Sequence, residues 1–156
     1  MKQTVQMDRI QEKMAPGVIT LDGFLGSDRR KLVDILIEDD EAVKRSDLNH
    51  QQIARRMVEL RDAGMQGLGE LIDVAPHFEV RVDSVRGKLP CPFGDPGIFP
   101  KTNITVRNLR LDREIVYTDL HIHMVGSHGF YEGKGSKFRL EPAALAEILE
   151  VQPEEG

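Results

Sequence analysis

One cysteine and five histidines are the residues of this chain best suited to soft-metal or nucleophilic chemistry. Cys91 stands in a loop rich in proline and glycine, GKLPCPFGDPGIFPK (Gly87 to Lys101), with Asp95 four residues on. His121, His123 and His128 follow in the segment TDLHIHMVGSHG. His123-x4-His128 has the spacing of the histidine half of a zinc finger, and Cys91 sits where a knuckle ligand would. The second cysteine of such a finger is absent. Asp95 is the nearest substitute, since carboxylate oxygen binds zinc at about 2.0–2.2 Å. On a strand, His121 and His123 would share a face and make a metal pair of their own. Three protein ligands leave a position open for water, so a metal-dependent hydrolase using Cys91, His123 and His128 is one alternative. The plainer reading is a small buried thiol between prolines and a histidine that ends a helix before Gly129.

Two further constellations compete. Cys91 could act as a nucleophile with a histidine as base and Asp95 or Asp119 as orienter. No Gly-x-Ser-x-Gly elbow is present, and a cysteine bracketed by prolines has no helix N-terminus to lower its pKa. The loop GFYEGKGSKFR offers Lys134, Ser136, Lys137 and Arg139 as an anion cradle. It fails the P-loop pattern, because Lys134 is followed by glycine and His128 stands where the first glycine belongs. Nucleic-acid binding through this loop and Arg81, Arg107 and Arg110 is a second alternative. The run Glu38–Glu41 points around most of a helix, so it reads as a solvated face and not an ion site.

The CPFG and FPK motifs, followed by HMVGSHGFYEGKGSKFRLEP, resemble in layout an uncharacterised family of small bacterial cytosolic proteins. The resemblance spans Leu21 to Leu149. It implies a cytosolic protein of one domain and carries no catalytic residue onto this chain.

These groups need a scaffold. With 156 residues, 40% hydrophobic and 30% charged, the chain reads as one globular domain able to fold without a staple. A single cysteine allows no internal disulfide. No apolar run approaches the ~20 residues of a membrane span, and the first residues make no signal peptide, so a cytoplasmic location is expected. The net charge of −5 gives no general attraction to nucleic acid. The segment from His77 to Leu140 carries ten Lys and Arg against seven Asp and Glu, a mild excess that reads as solvated strand faces.

Residues 1–26 read as a lead-in, with VITL (Val18 to Leu21) extended. Ser27 or Asp28 is expected to cap a helix running to Arg45. Asn49 with Gln52 predicts a capping box opening a second helix that stops at Gly64. Arg55, Arg56 and Arg61 on it could face phosphate in a helix-turn-helix, although the neighbouring acids oppose this. A short helical turn through Leu68, Leu71 and Ile72 is expected next, with Pro76 closing the helical half. Alternation then predicts strands at His77–Asp83, Thr102–Val106 and Glu114–Tyr117, the last two as a hairpin with a bulge near Asn108. Thr118 is expected to cap a helix to His128, with Gly129 as its left-handed stop. Pro142 opens a closing helix with Leu145, Ile148 and Leu149 as its stripe.

The expected architecture is α+β: a helical N-terminal half packed on a small antiparallel sheet, with a C-terminal helix. The expected function is a non-enzymatic binding or interaction module. Its site would be built from the Cys91 loop and the His121–Arg139 segment, with zinc as the candidate cofactor. A homodimer is expected to cover the edges of so small a sheet.

Overall fold

The computed structural model describes residues 2–154. In chain order the elements are α1 (Val5–Lys13), α2 (Leu32–Arg45), α3 (His50–Gly64), a 3₁₀ turn (Met65–Gly67), β1 (Ile72–Val74), β2 (Phe78–Pro90), β3 (Ile98–Asn108), β4 (Arg113–Thr118), α4 (Asp119–His128) and α5 (Pro142–Leu149). The class is α+β. The four strands form one antiparallel meander in the order β1-β2-β3-β4.

The sheet buries one face. Val80 pairs with Val106, and Val106 with Ile115; Val82 pairs with Ile104, and Ile104 with Tyr117. Period-two alternation along each strand sends these residues to the same side. There they meet α3, α4 and α5 in a core containing Ile53, Met57, Leu60, Ile122, Val125, Leu145 and Leu149. The Tyr117 hydroxyl donates to the Met57 carbonyl at 2.8 Å, so burying the phenol leaves no unpaired polar atom. Gly64 lets α3 approach the sheet: a Cβ there would lie 2.4 Å from Val80 Cγ1.

A second core gathers Met14, Phe24, Leu32, Ile35, Cys91, Leu120, Met124 and Phe130. It joins α1, α2 and the β2–β3 loop to the other side of α4. Helix α4 is therefore wedged between two cores. Ile122 and Val125 enter one; Leu120 and Met124 enter the other.

Several expectations change. The lead-in holds a helix, α1, and VITL is bent chain and not a strand. Helix α2 begins at Leu32, and Lys31 at its N-cap makes no side-chain bond. Its first amides are bonded from α1 and the residues just before it instead: Leu32 N–H donates to Gln11 Oε1, and Val33 N–H to Gln3 Oε1, both at 2.9 Å. The helical turn expected at Leu68–Ile72 is a 3₁₀ turn followed by strand β1, so the sheet has four strands. Asn108 pairs in register with Arg113, and the irregularity lies between Val85 and Lys88. The acidic run is not simply solvated: Asp39 is buried against Arg139, while Glu38 meets Arg30 and Lys134. Among the described residues, no helix is long and apolar enough to cross a membrane.

Candidate metal centre

The Cys91 loop is shaped by its glycines. Gly94 has φ +90°, a region closed to most side chains, and its N–H closes a turn on the Cys91 carbonyl at 3.0 Å. This turn aims the backbone amides of Phe93 and Asp95 at the Cys91 sulfur, and both favour a thiolate. Burial is the larger effect. Together with the Asp95 charge, it pushes the thiol above its ordinary value. Thiolate nucleophiles rely on a lowered pKa, the opposite of this direction.

The histidines come from α4. The Thr118 hydroxyl accepts from the His121 backbone N–H, and the His121 ring accepts from the Thr118 N–H, a reciprocal capping box. Gly129 ends the helix at φ +61°. His123 and His128 leave α4 on the side of the Cys91 loop. Phe99 stacks on His123 with centroids 4.4 Å apart, and Phe93 stacks on His128 at 4.0 Å with the rings 7° from parallel. The two imidazoles lie 5.5 Å apart, almost perpendicular.

Asp95 ties the group together. Its Oδ2 is 2.7 Å from His123 Nε2, 2.5 Å from His128 Nε2 and 3.8 Å from Cys91 Sγ. Hydrogen bonds from His128 and then His123 hold its carboxyl below the usual range. One donor atom from each of Cys91, Asp95, His123 and His128 lies within 4.8 Å of all the others. The chain thus brings together a thiol, a carboxylate and two imidazoles from two distant segments, a group that can hold a metal ion.

His121 is not part of this group. Residues two apart on a helix point ~200° apart, so His121 turns away from His123. Its Nδ1 accepts from Thr118 N–H at 3.0 Å, and its Nε2 meets Glu132 Oε2 at 2.5 Å. The strand geometry that would have paired His121 with His123 does not occur.

The anion cradle is largely used within the chain. Lys134 Nζ is 2.8 Å from Glu38, and the Ser136 hydroxyl donates to Glu132 at 2.8 Å. Arg139 forks onto both Asp39 oxygens at 2.6 and 2.8 Å and reaches Glu141. Lys137 lies over the Phe138 ring, 5.7 Å from its centroid. The arginines considered for nucleic acid are similarly engaged: Arg56 with Glu59, Arg61 with Asp119, Arg81 with Asp83, Arg107 with Glu114 and Arg110 with Glu150. Sequence reasoning missed Phe93 and Phe99 as the rings that orient the histidines, and Glu132 as the partner of His121. Phe93 lies two residues from Cys91, which was a usable signal; the other two pairings are long-range.

Comparison with protein-family models, with curated proteins and with solved structures finds no match, so the reading of this centre rests on its own geometry.

Proposed function

We propose that this chain is a zinc-binding protein in which Cys91 Sγ, Asp95 Oδ2, His123 Nε2 and His128 Nε2 hold one Zn²⁺. The observation that carries the reading is the convergence of four donors of the right chemistry within 4.8 Å. Thiolate and imidazole select zinc among the common divalent ions. Cys⁻ and Asp⁻ with two neutral histidines would exactly balance the ion's two charges, which suits a half-buried site. Bonds of about 2.0–2.3 Å put the edges of a tetrahedron near 3.3–3.6 Å. The 3.8 Å between Cys91 and Asp95 is close to that edge. The shorter Asp95–histidine contacts are hydrogen bonds that widen by less than ~1 Å when a cation replaces the shared protons.

Four protein ligands complete the shell, as in structural zinc sites. The ion would fasten the β2–β3 loop to the end of α4, and the protein would act by binding and not by chemistry. One observation favours a hydrolytic reading instead. The Asp95 side chain is 36% exposed, against 19% and 20% for the two histidines, so it is the ligand most easily exchanged for water.

Titration of chelator-treated protein with Co²⁺ tests the proposal. The expected result is a saturable thiolate-to-cobalt absorption with tetrahedral d–d bands, displaced by Zn²⁺ and abolished by Cys91→Ser. A spectrum of hexa-aquo cobalt at every ratio would overturn it. In Asp95→Ala, a retained metal that gains hydrolytic activity on activated esters would favour the hydrolase.

A further inference from the structure

Beside the face of α4 that carries Leu120 and Met124, against the core that also holds Cys91, lies a cavity of about 300 Å³. That is the lower end of the range for small-molecule sites. Its wall is mainly apolar, with Phe24, Leu89, Leu120 and Met124 inside, while Leu21, Val85 and Phe138 stand at it with 86%, 47% and 49% of their surface exposed. Large apolar side chains left in water around a cavity mark a place where something apolar is received.

The polar floor of the cavity is His121 and Glu132, each only 4% exposed at the side chain. Glu132 reaches this position through a left-handed backbone, φ +70°, unusual for a residue with a Cβ. Its carboxylate accepts from the Ser136 hydroxyl at 2.8 Å and meets His121 Nε2 at 2.5 Å. Because His121 Nδ1 accepts the Thr118 N–H, the ring proton sits on Nε2 and is given to Glu132. The Arg139 guanidinium donates to the Glu132 backbone carbonyl and forks onto Asp39. No Lys or Arg side chain among the described residues meets the buried Glu132 carboxylate, and a ligand cation would fill that place. A carboxylate also has about four lone-pair sites, of which two are occupied here.

We infer that this cavity binds a small amphipathic amine, with its ammonium on the Glu132 carboxylate and its hydrocarbon part against Phe24, Leu89, Leu120 and Met124. The inference goes beyond the metal centre and does not require it. Lys101 also lines the cavity, on the exposed surface, and no carboxylate among the described residues pairs with it. It faces the ligand's outer end, where it repels amines that lie too shallow.

The experiment is an NMR titration of the full chain, as purified, with hexylamine, hexanol and hexanoate. Hexylamine is expected to bind most tightly and to shift the Leu120 and Met124 signals. Glu132→Gln is expected to weaken it about 10- to 100-fold, the range of one charge-assisted hydrogen bond, while hexanol binding changes little. Hexylamine binding no tighter than hexanol, a preference for hexanoate, or undiminished amine binding in Glu132→Gln would each overturn the inference. Should Glu132→Gln not fold, the exposed substitution Lys101→Glu asks the same question. Tighter amine binding supports the inference, and unchanged or weaker binding contradicts it. Repeating the titration in Cys91→Ser separates this cavity from the metal centre, because amine binding survives there even if the metal reading fails.

Discussion

At the scale of single residues, geometry decides which groups are exchangeable. Gly129 is held twice: its φ is +61°, and a Cβ would lie 2.7 Å from His50 Nε2. The left-handed penalty alone is about 1–2 kcal/mol, and the contact with the His50 ring adds to it. Gly129→Ala is therefore expected to lower the unfolding free energy obtained from urea denaturation by at least that amount, and a neutral result would mean that the end of α4 relaxes freely. Glu150 shows a different constraint. His77, then Asn108 and Arg110, hold its carboxyl at about 2 against an ordinary 4.5. A depressed carboxylate contributes stability above its unfolded pKa and loses it as pH falls through the folded one. The stability difference between wild type and Glu150→Gln, both chelated, is expected to be constant above pH 4.5 and to shrink from there toward pH 2. Urea denaturation across that window measures it. A difference that grows on acidification would contradict the sign.

At the scale of elements, the helix boundaries that could be read from sequence are those decided by local contacts. Asn49 with Gln52, and Thr118 with Gly129, place their caps within a few residues of the amides and carbonyls they serve. Pro142 likewise marks the first turn of α5 from within. The boundaries that failed depend on distant partners. Helix α2 takes its N-terminal bonds from Gln3 and Gln11, while Asp28, the expected cap, is committed to Arg30 and the Lys134 amide. Strand β1 has three residues and exists through its pairing with β2. No local pattern announces such contacts. The cluster of Cys91, Asp95, His123 and His128 was legible for a related reason, since thiol and imidazole are rare enough here to be tracked by type. The place of His121 depended on whether residues 119–128 form a helix, because a helix turns it away from His123. Thr118→Ala removes one half of the α4 cap and is expected to cost about 1 kcal/mol in urea denaturation. No loss would show that the His121–Glu132 contact holds this end alone.

At the scale of the molecule, α4 is the element on which both proposed sites and both cores converge. The long-range polar ties reinforce that arrangement. Arg139 and Asp39, with side chains 7% and 4% exposed, join the C-terminal segment to α2 across 100 positions. Such a pair is weak evidence of net stability, yet breaking it strands a buried charge. Arg139→Met is expected to cost about 3–5 kcal/mol, and Asp39→Asn added to it should restore part of that loss. Thermal or urea unfolding of the single and double variants checks this, and additive losses would contradict the pairing.

The fastening of the Cys91 loop to α4 by zinc is the claim on which the account of this protein turns. The most direct measurement is elemental analysis of the purified chain, with the thermal midpoint recorded before and after chelation. The account predicts about one zinc per chain in the wild type, a marked fall in midpoint on chelation, and neither property in Cys91→Ser or His128→Ala. A wild type without metal after purification in zinc-supplemented buffer, and indifferent to chelator, would contradict it.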